Sequence, residues 1–195
     1  LKYCQGLAQT LADRGVQLFV RSPAVAWQRD GAGITVDTPK ARIRGKVLLI
    51  ATNAYSDRTS TTNRLKRRVV PMVSSLIATA PLPEKLRNSV LRHGNLVTDA
   101  KRLTNYYRVT PCHRLMFGGR GGATNNESPA IYARLERDMA AIFPQYRDMP
   151  IEYRWSGRVA VTLDGFPHAG ALDERVFYAM GYNGRGVALS AFLGQ

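Results

Sequence analysis

The run Gly181-Tyr182-Asn183-Gly184-Arg185-Gly186 constrains this chain more than any other segment. It follows a strand-like stretch, Val176-Phe177-Tyr178-Ala179-Met180, and leads into Val187-Ala188-Leu189-Ser190, which reads as the start of a helix. A strand, a glycine-rich turn and a helix start form the geometry with which proteins hold phosphates and other electron-rich groups. Glycines let the backbone approach a ligand, and the free N–H groups of the first helical turn point at it. An ordinary tight turn has a similar composition, so the segment gains meaning only in company.

Composition narrows the class. A chain of 195 residues makes one large domain or one and a half small ones, and 45% hydrophobic residues exclude wholesale disorder. The longest apolar run, Val47-Leu48-Leu49-Ile50-Ala51, falls far short of the roughly 20 residues that a membrane span requires. The opening Leu1-Lys2-Tyr3 carries no signal-peptide pattern. Cys4 and Cys112 lack metal-ligand or paired spacing, so they read as reduced thiols and predict a cytoplasmic setting. The net charge of +14 raises the question of polyanions. Its cations are spread along the chain, and the densest cluster, Arg64-Leu65-Lys66-Arg67-Arg68, runs straight into an apolar strand. That distribution favours a solvated basic surface and argues against nucleic acid. Without an initiator Met, and with helical patterns at both ends, the sequence reads as a piece of a longer protein.

Periodicity predicts the order of elements. Cys4, Leu7, Ala8 and Leu11 fall at helical spacing, with Gly15 placed to cap the helix. Residues 16–20 are expected to form a short buried strand. Segments 25–27 and 34–36 flank a hairpin turn at Asp30-Gly31-Ala32-Gly33, and 42–44 make a further strand. Residues 46–51 read as a strand of a parallel sheet buried on both faces, with ligands expected beyond its carboxyl end. Residues 57–64 read as a polar linker. Strands are then predicted at 69–73, 76–79, 96–98, 104–110 and 114–118, the last two joined by Pro111-Cys112-His113. Ser128-Pro129 signals a helix start, Ile131, Leu135, Met139 and Ile142 form its apolar stripe, and Pro144 ends it. A long strand follows at 151–161. The fold class is therefore α/β plus α+β: a partial Rossmann-like dinucleotide-binding domain interrupted by a mainly antiparallel sheet. The expected division is 1–60 and 163–195 for the first part and 61–162 for the second.

These landmarks, in this order, resemble the FAD-dependent amine and amino-acid oxidoreductases of the D-amino-acid oxidase and glycine oxidase (DAO) family. Within it, the sequence is most similar to bacterial γ-glutamylputrescine oxidase-like members. Four segments carry the resemblance: Ala51-Thr52-Asn53-Ala54-Tyr55 after its apolar strand; Asn105-Tyr106-Tyr107-Arg108 with Arg114-Leu115-Met116-Phe117-Gly118-Gly119; Tyr153-Arg154-Trp155-Ser156-Gly157 with Thr162 and Asp164-Gly165-Phe166-Pro167; and the glycine-rich run itself. The family's leading GxGxxG fingerprint is absent, and Asn183 and Arg185 stand where the family commonly carries Ser and His.

The resemblance implies oxidation of a C–N bond in an amine or amino acid by hydride transfer to flavin N5, with oxygen as acceptor. Two alternatives accompany it: a dehydrogenase passing electrons to a quinone or protein, and an inactive basic binding module. It implies non-covalent FAD contacted by Val25, Ala51, Thr52, Asn53 and Gly157, and by Gly181, Tyr182, Asn183, Gly184, Arg185, Gly186 and Val187. Substrate falls to Tyr106, Tyr107, Arg108 and Trp155. Alternation along a strand lets only one of the two tyrosines face the flavin, and Arg108 shares a face with Tyr106. The cofactor carries the chemistry, so no catalytic dyad is needed, and His93, His113 and His168 read as structural. By itself the chain is expected to hold FAD weakly and to be inactive.

Overall fold

The computed structural model describes residues 2–56, 60–91, 93–101, 104–120 and 128–195. The predicted first helix is α1 (Lys2–Asp13). It closes in a Schellman pattern, in which Val16 donates to the Leu11 carbonyl at 3.0 Å and Gly15 to that of Ala12 at 2.9 Å. Residues 16–20 are not a strand. They run as irregular backbone, with Phe19 63% and Val20 83% exposed. Their composition favours a strand, but none of the described strands lies alongside to accept a hydrogen-bond ladder.

Strands β1 (Ala26–Asp30), β2 (Gly33–Asp37) and β3 (Arg42–Gly45) form a three-stranded antiparallel sheet around the expected Gly31-Ala32 turn. The predicted strand at 46–51 shortens to β4 (Leu48–Ile50). It lies at a sheet edge with Leu49 61% exposed, rather than buried on both faces. A 3-10 turn follows at Asn53–Tyr55. Of the predicted linker, 57–59 lie outside the described residues, and Ser60–Leu65 is a second 3-10 turn instead of extended chain.

The two strands expected at 69–73 and 76–79 are one, β5 (Val70–Thr79). Pro71 is tolerated because β5 there has only one neighbour. A four-residue helix, α2 (Glu84–Arg87), precedes β6 (Val97–Thr98), β7 (Asn105–Val109) and β8 (Leu115–Arg120). Helix α3 (Pro129–Ile142) starts at Ser128, whose side chain accepts from the Ala130 N–H at 3.3 Å. Strand β9 (Ile151–Val161) completes a five-stranded antiparallel sheet of order β6-β7-β8-β5-β9. Finally β10 (His168–Asp173), not foreseen from the sequence, pairs with β11 (Val176–Met180), which runs parallel to β4 and leads to α4 (Gly186–Leu193).

Two cores result. One gathers Ile77, Leu115, Phe117, Leu135, Met139 and Tyr146 between the large sheet and α3. The other joins Ile34, Ile50, Leu65, Val69, Val176 and Met180 beneath the small sheets. Tyr107 belongs to the first, stacked on Phe117 at 5.4 Å and edge-on to Phe143 at 5.1 Å.

Candidate functional site

The parallel pair β4 and β11 aligns Ile50 with Tyr178, so both strands end on the same side, where open α/β sheets bind ligands. Two of the predicted segments meet at that point. Asn53, with φ of 46°, accepts the Gly181 N–H on its Oδ1 at 2.9 Å. Thr52 bonds Ser56 through the two hydroxyls at 2.8 Å, and Ala51 is exposed beside it. The strand end and the glycine-rich turn are thus one structure.

The turn is held from inside. Asn183 Oδ1 accepts from the Thr162 N–H at 2.9 Å, while its Nδ2 donates to the Gly181 carbonyl at 2.7 Å. Gly181 has φ of +78°, and a Cβ there would lie 2.4 Å from Thr162 Cγ2, so only glycine satisfies both the torsion and the space. Arg185 donates to the Gly165 carbonyl at 2.9 Å. Asn183 and Arg185, the two departures from the family pattern, therefore serve the turn and its neighbouring loop. Tyr182 is half-buried beneath Gly186, and burial raises its phenol above the ordinary value. In that loop Asp164 accepts from His168 and from the Phe166 N–H, which lower its carboxyl to about 2.

No side chain caps α4. Its first N–H groups, at Gly186, Val187 and Ala188, are offered outward with the positive end of the helix dipole. Gly184 (φ +88°) is open: a Cβ there would meet only Arg120 Nη2, at 3.7 Å. The cradle therefore suits an electron-rich ring edge, and these residues fit a flavin.

Strand register assigns the remaining residues. Cross-strand partners share a face, so Tyr106 pairs with Gly118, Gly118 with Leu76, and Leu76 with Trp155. Arg120, Ser74 and Gly157 form the adjacent row of that face. The opposite face carries Tyr107 and Ser156, the latter hydrogen-bonded to Tyr132 of α3 at 3.0 Å. Tyr106, Arg108, Trp155 and Gly157 consequently lie on one face, away from α3, while Tyr107 packs in the core. Tyr106 lies flat across Gly118, where a Cβ would sit 2.4 Å from its ring, and reaches Ser74 hydroxyl to hydroxyl at 2.5 Å. Burial raises its phenol, opposed by the Ser74 hydrogen bond and by the charge of Arg120. Nothing lies within 4 Å of a Cβ built on Gly157.

Arg108 shares the face but sits two positions further from the glycine-rich turn. It lines a cavity of about 440 Å³ with Glu84, Arg87 and His113, and its buried Nε has no hydrogen-bond partner. Val25 lies before β1, its N–H engaged by the Asp37 carbonyl at 2.9 Å. Ser74, Gly118 and Arg120 escaped sequence reasoning. The Gly118-Gly119 pair inside a strand was the available signal, since strand glycine marks close approach of another group.

Comparison with known proteins identifies the family. The family described as FAD dependent oxidoreductase (DAO) matches residues 1–195. The chain is 34% identical over 197 residues to a probable oxidoreductase, OrdL, of Haemophilus influenzae, covering all of this chain and 45% of that protein. It is 33% identical over 162 residues to the gamma-glutamylputrescine oxidoreductase of Escherichia coli K12, covering 82% of this chain and 37% of that protein. The chain thus spans less than half the length of the curated relatives it matches. The structure superposes on glycine oxidase of Geobacillus kaustophilus with a TM-score of 0.79 at 24% identity, covering 96% of this chain and 50% of that one. For L-proline dehydrogenase of P. horikoshii the TM-score is 0.77 at 20% identity, over 96% of this chain and 51% of that one. This chain belongs to the DAO family of FAD-dependent oxidoreductases.

Proposed function

We propose that the protein oxidises the C–N bond of an amine or amino acid, with oxygen as acceptor. The observation that carries this reading is the junction of two surfaces. The open face of the five-stranded sheet, bearing Tyr106 and Trp155, comes within reach of the glycine-rich turn through Arg120 and Gly184. One surface suits a flavin edge and the other a small substrate.

FAD, when bound, supplies the two-electron acceptor. The chain's own residues position and stabilise. The backbone of 184–187 presents N–H donors and a helix dipole toward developing negative charge. Ala51, Thr52 and Asn53 border the dinucleotide, and Val25 meets it through its main chain. Gly157 keeps the sheet floor clear, Tyr106 offers a hydroxyl fixed by Ser74, and Trp155 walls the substrate. FAD is held without a covalent bond. The division into FAD-binding parts 1–60 and 163–195 around a substrate part 61–162 accompanies this reading. So does a cytoplasmic setting, which the two unpaired, exposed cysteines support. Among the described residues no helix is long and apolar enough to cross a membrane.

The test is the visible spectrum of the full-length, flavin-loaded protein before and after anaerobic addition of amines and amino acids. Bleaching is the expected result, followed by hydrogen peroxide when air is admitted. A loaded protein that no amine bleaches contradicts the reading. Bleaching without peroxide replaces oxygen by a quinone or protein acceptor.

A further inference from the structure

We infer that the cavity of about 440 Å³ at the far end of β7, lined by Arg87, Arg108 and Glu84, binds a small organic acid that also carries a hydrogen-bond donor. The site lies apart from the glycine-rich turn, and the inference stands whether or not the amine-oxidising reading holds.

Its place in the fold sets it apart. Arg108 pairs with Met116, four positions before Arg120 on β8, which is about 13 Å along the strand. The cavity extends further still, to Val109 and to His113 in the connection to β8. Arg108 is thereby parted from Tyr106 and Trp155, whose row lies nearer the turn.

Three ionic groups line this space without neutralising one another. Neither Arg87 nor Arg108 forms an ion pair with Glu84 or with any other carboxylate among the described residues. The Nε of Arg108 is buried and has no hydrogen-bond partner, a cost that a bound acceptor removes. The Nε of Arg87 donates to the Leu82 carbonyl at 3.0 Å, which fixes the guanidinium and leaves its terminal nitrogens for a ligand. Two guanidinium forks match an acid group. An ionised Glu84 only accepts, so the same ligand needs an N–H or O–H to offer it. Apolar walls from Leu91 and Val109, and a volume well above that of a bare ion, favour an organic molecule over inorganic phosphate.

The walls are preformed. Leu82 donates to the His113 carbonyl at 2.7 Å, tying the approach to α2 onto the turn between β7 and β8. Leu91 and His113, both lining the cavity, hold left-handed torsions of 52° and 59°. Asn53 and Asn183, at the glycine-rich turn and the strand end beside it, are in the same backbone region. Strain of this kind collects where the surrounding structure holds a shape that a ligand needs.

The experiment is calorimetric binding of succinate, L-malate and inorganic phosphate to the full-length, FAD-loaded protein. It compares wild type with Arg108→Met, Arg108→Lys and Glu84→Gln. Malate is expected to bind without moving the flavin absorption bands. Arg108→Met weakens it by roughly ten- to a hundredfold, as loss of a charge-assisted pair implies, and Arg108→Lys recovers part of the loss. Succinate, which lacks the hydroxyl, binds about three- to tenfold more weakly than malate, and Glu84→Gln shrinks that difference. Without ligand, Arg108→Met unfolds at no lower temperature than wild type, because the buried Nε has no bond to lose.

Absence of malate and succinate binding to wild type overturns the inference, as does binding that survives Arg108→Met or shifts the flavin bands. Equal binding of succinate and malate also overturns it, by removing the donor that Glu84 would accept. Phosphate binding tighter than malate does the same, by assigning the cavity to a bare oxyanion. A lowered unfolding temperature in Arg108→Met assigns the side chain to packing and likewise overturns the site. Failure of every amine to bleach the flavin defeats the oxidase reading alone, since none of these outcomes depends on turnover.

Discussion

Gly181 occupies a left-handed backbone torsion of +78° with the Thr162 methyl pressed against its missing Cβ. Replacing it with alanine adds both a torsional penalty and a steric one. Gly181→Ala is expected to destabilise the fold by about 2–4 kcal/mol, read from denaturant unfolding. A shift below about 1 kcal/mol would mean that the turn relaxes around the methyl. Asp164 offers a second check on the same region. Its carboxyl, lowered from 3.8 to about 2 chiefly by His168, contributes stability that is complete above about pH 4. That contribution disappears as pH falls through about 2. A carboxyl-carbon NMR titration should give a midpoint near 2, moving toward 3.8 in His168→Ala. An unshifted midpoint in the parent protein contradicts the contact.

Among the elements, α3 shows how local and tertiary terms divide. Ser128 caps it through one hydrogen bond, and Leu135, fully buried, anchors it to β5 and β8. Ser128→Ala is expected to cost about 1 kcal/mol, and Leu135→Ala about 2–5 kcal/mol because a cavity remains. Thermal unfolding of the pair should show the second loss to be the larger. The reverse order would mean that α3 is held by its cap rather than by its apolar face. This helix was legible in sequence because its stripe, cap and terminator coincide within one short segment. Strand β4 was only half legible. Its apolar composition predicted a strand and its parallel partner, but its place at a sheet edge depends on what packs alongside.

At the scale of the whole molecule, exposed apolar side chains recur along the sequence, Leu163 (99% exposed) and Val187 (74% exposed) among them as well as those around β4. Phe19, Val20, Val47 and Leu49 are all exposed, and β4 presents an unpaired edge in the described structure. Edges and patches of this kind associate. The 195-residue chain is expected to self-associate with rising concentration in sedimentation measurements, and Leu49→Lys to reduce that association. A chain that stays monomeric at all concentrations would show that these side chains are better covered than the described residues indicate.

The sequence by itself determined the helices with coincident signals, α1 and α3, and the long strand β9. It also determined the turn chemistry at 181–186, because those features depend on residues within a few positions of one another. The match of Tyr106 and Arg108 to a common face followed from strand alternation alone. Only the tertiary structure decided that 16–20 is not a strand, that β4 is an edge, and that Tyr107 belongs to the core. It alone joined Asn53 to Gly181 across 128 positions and brought Arg120 to Gly184. A strand needs a neighbour before it exists, and a site needs several strands in register, so neither can be read from any single stretch of chain.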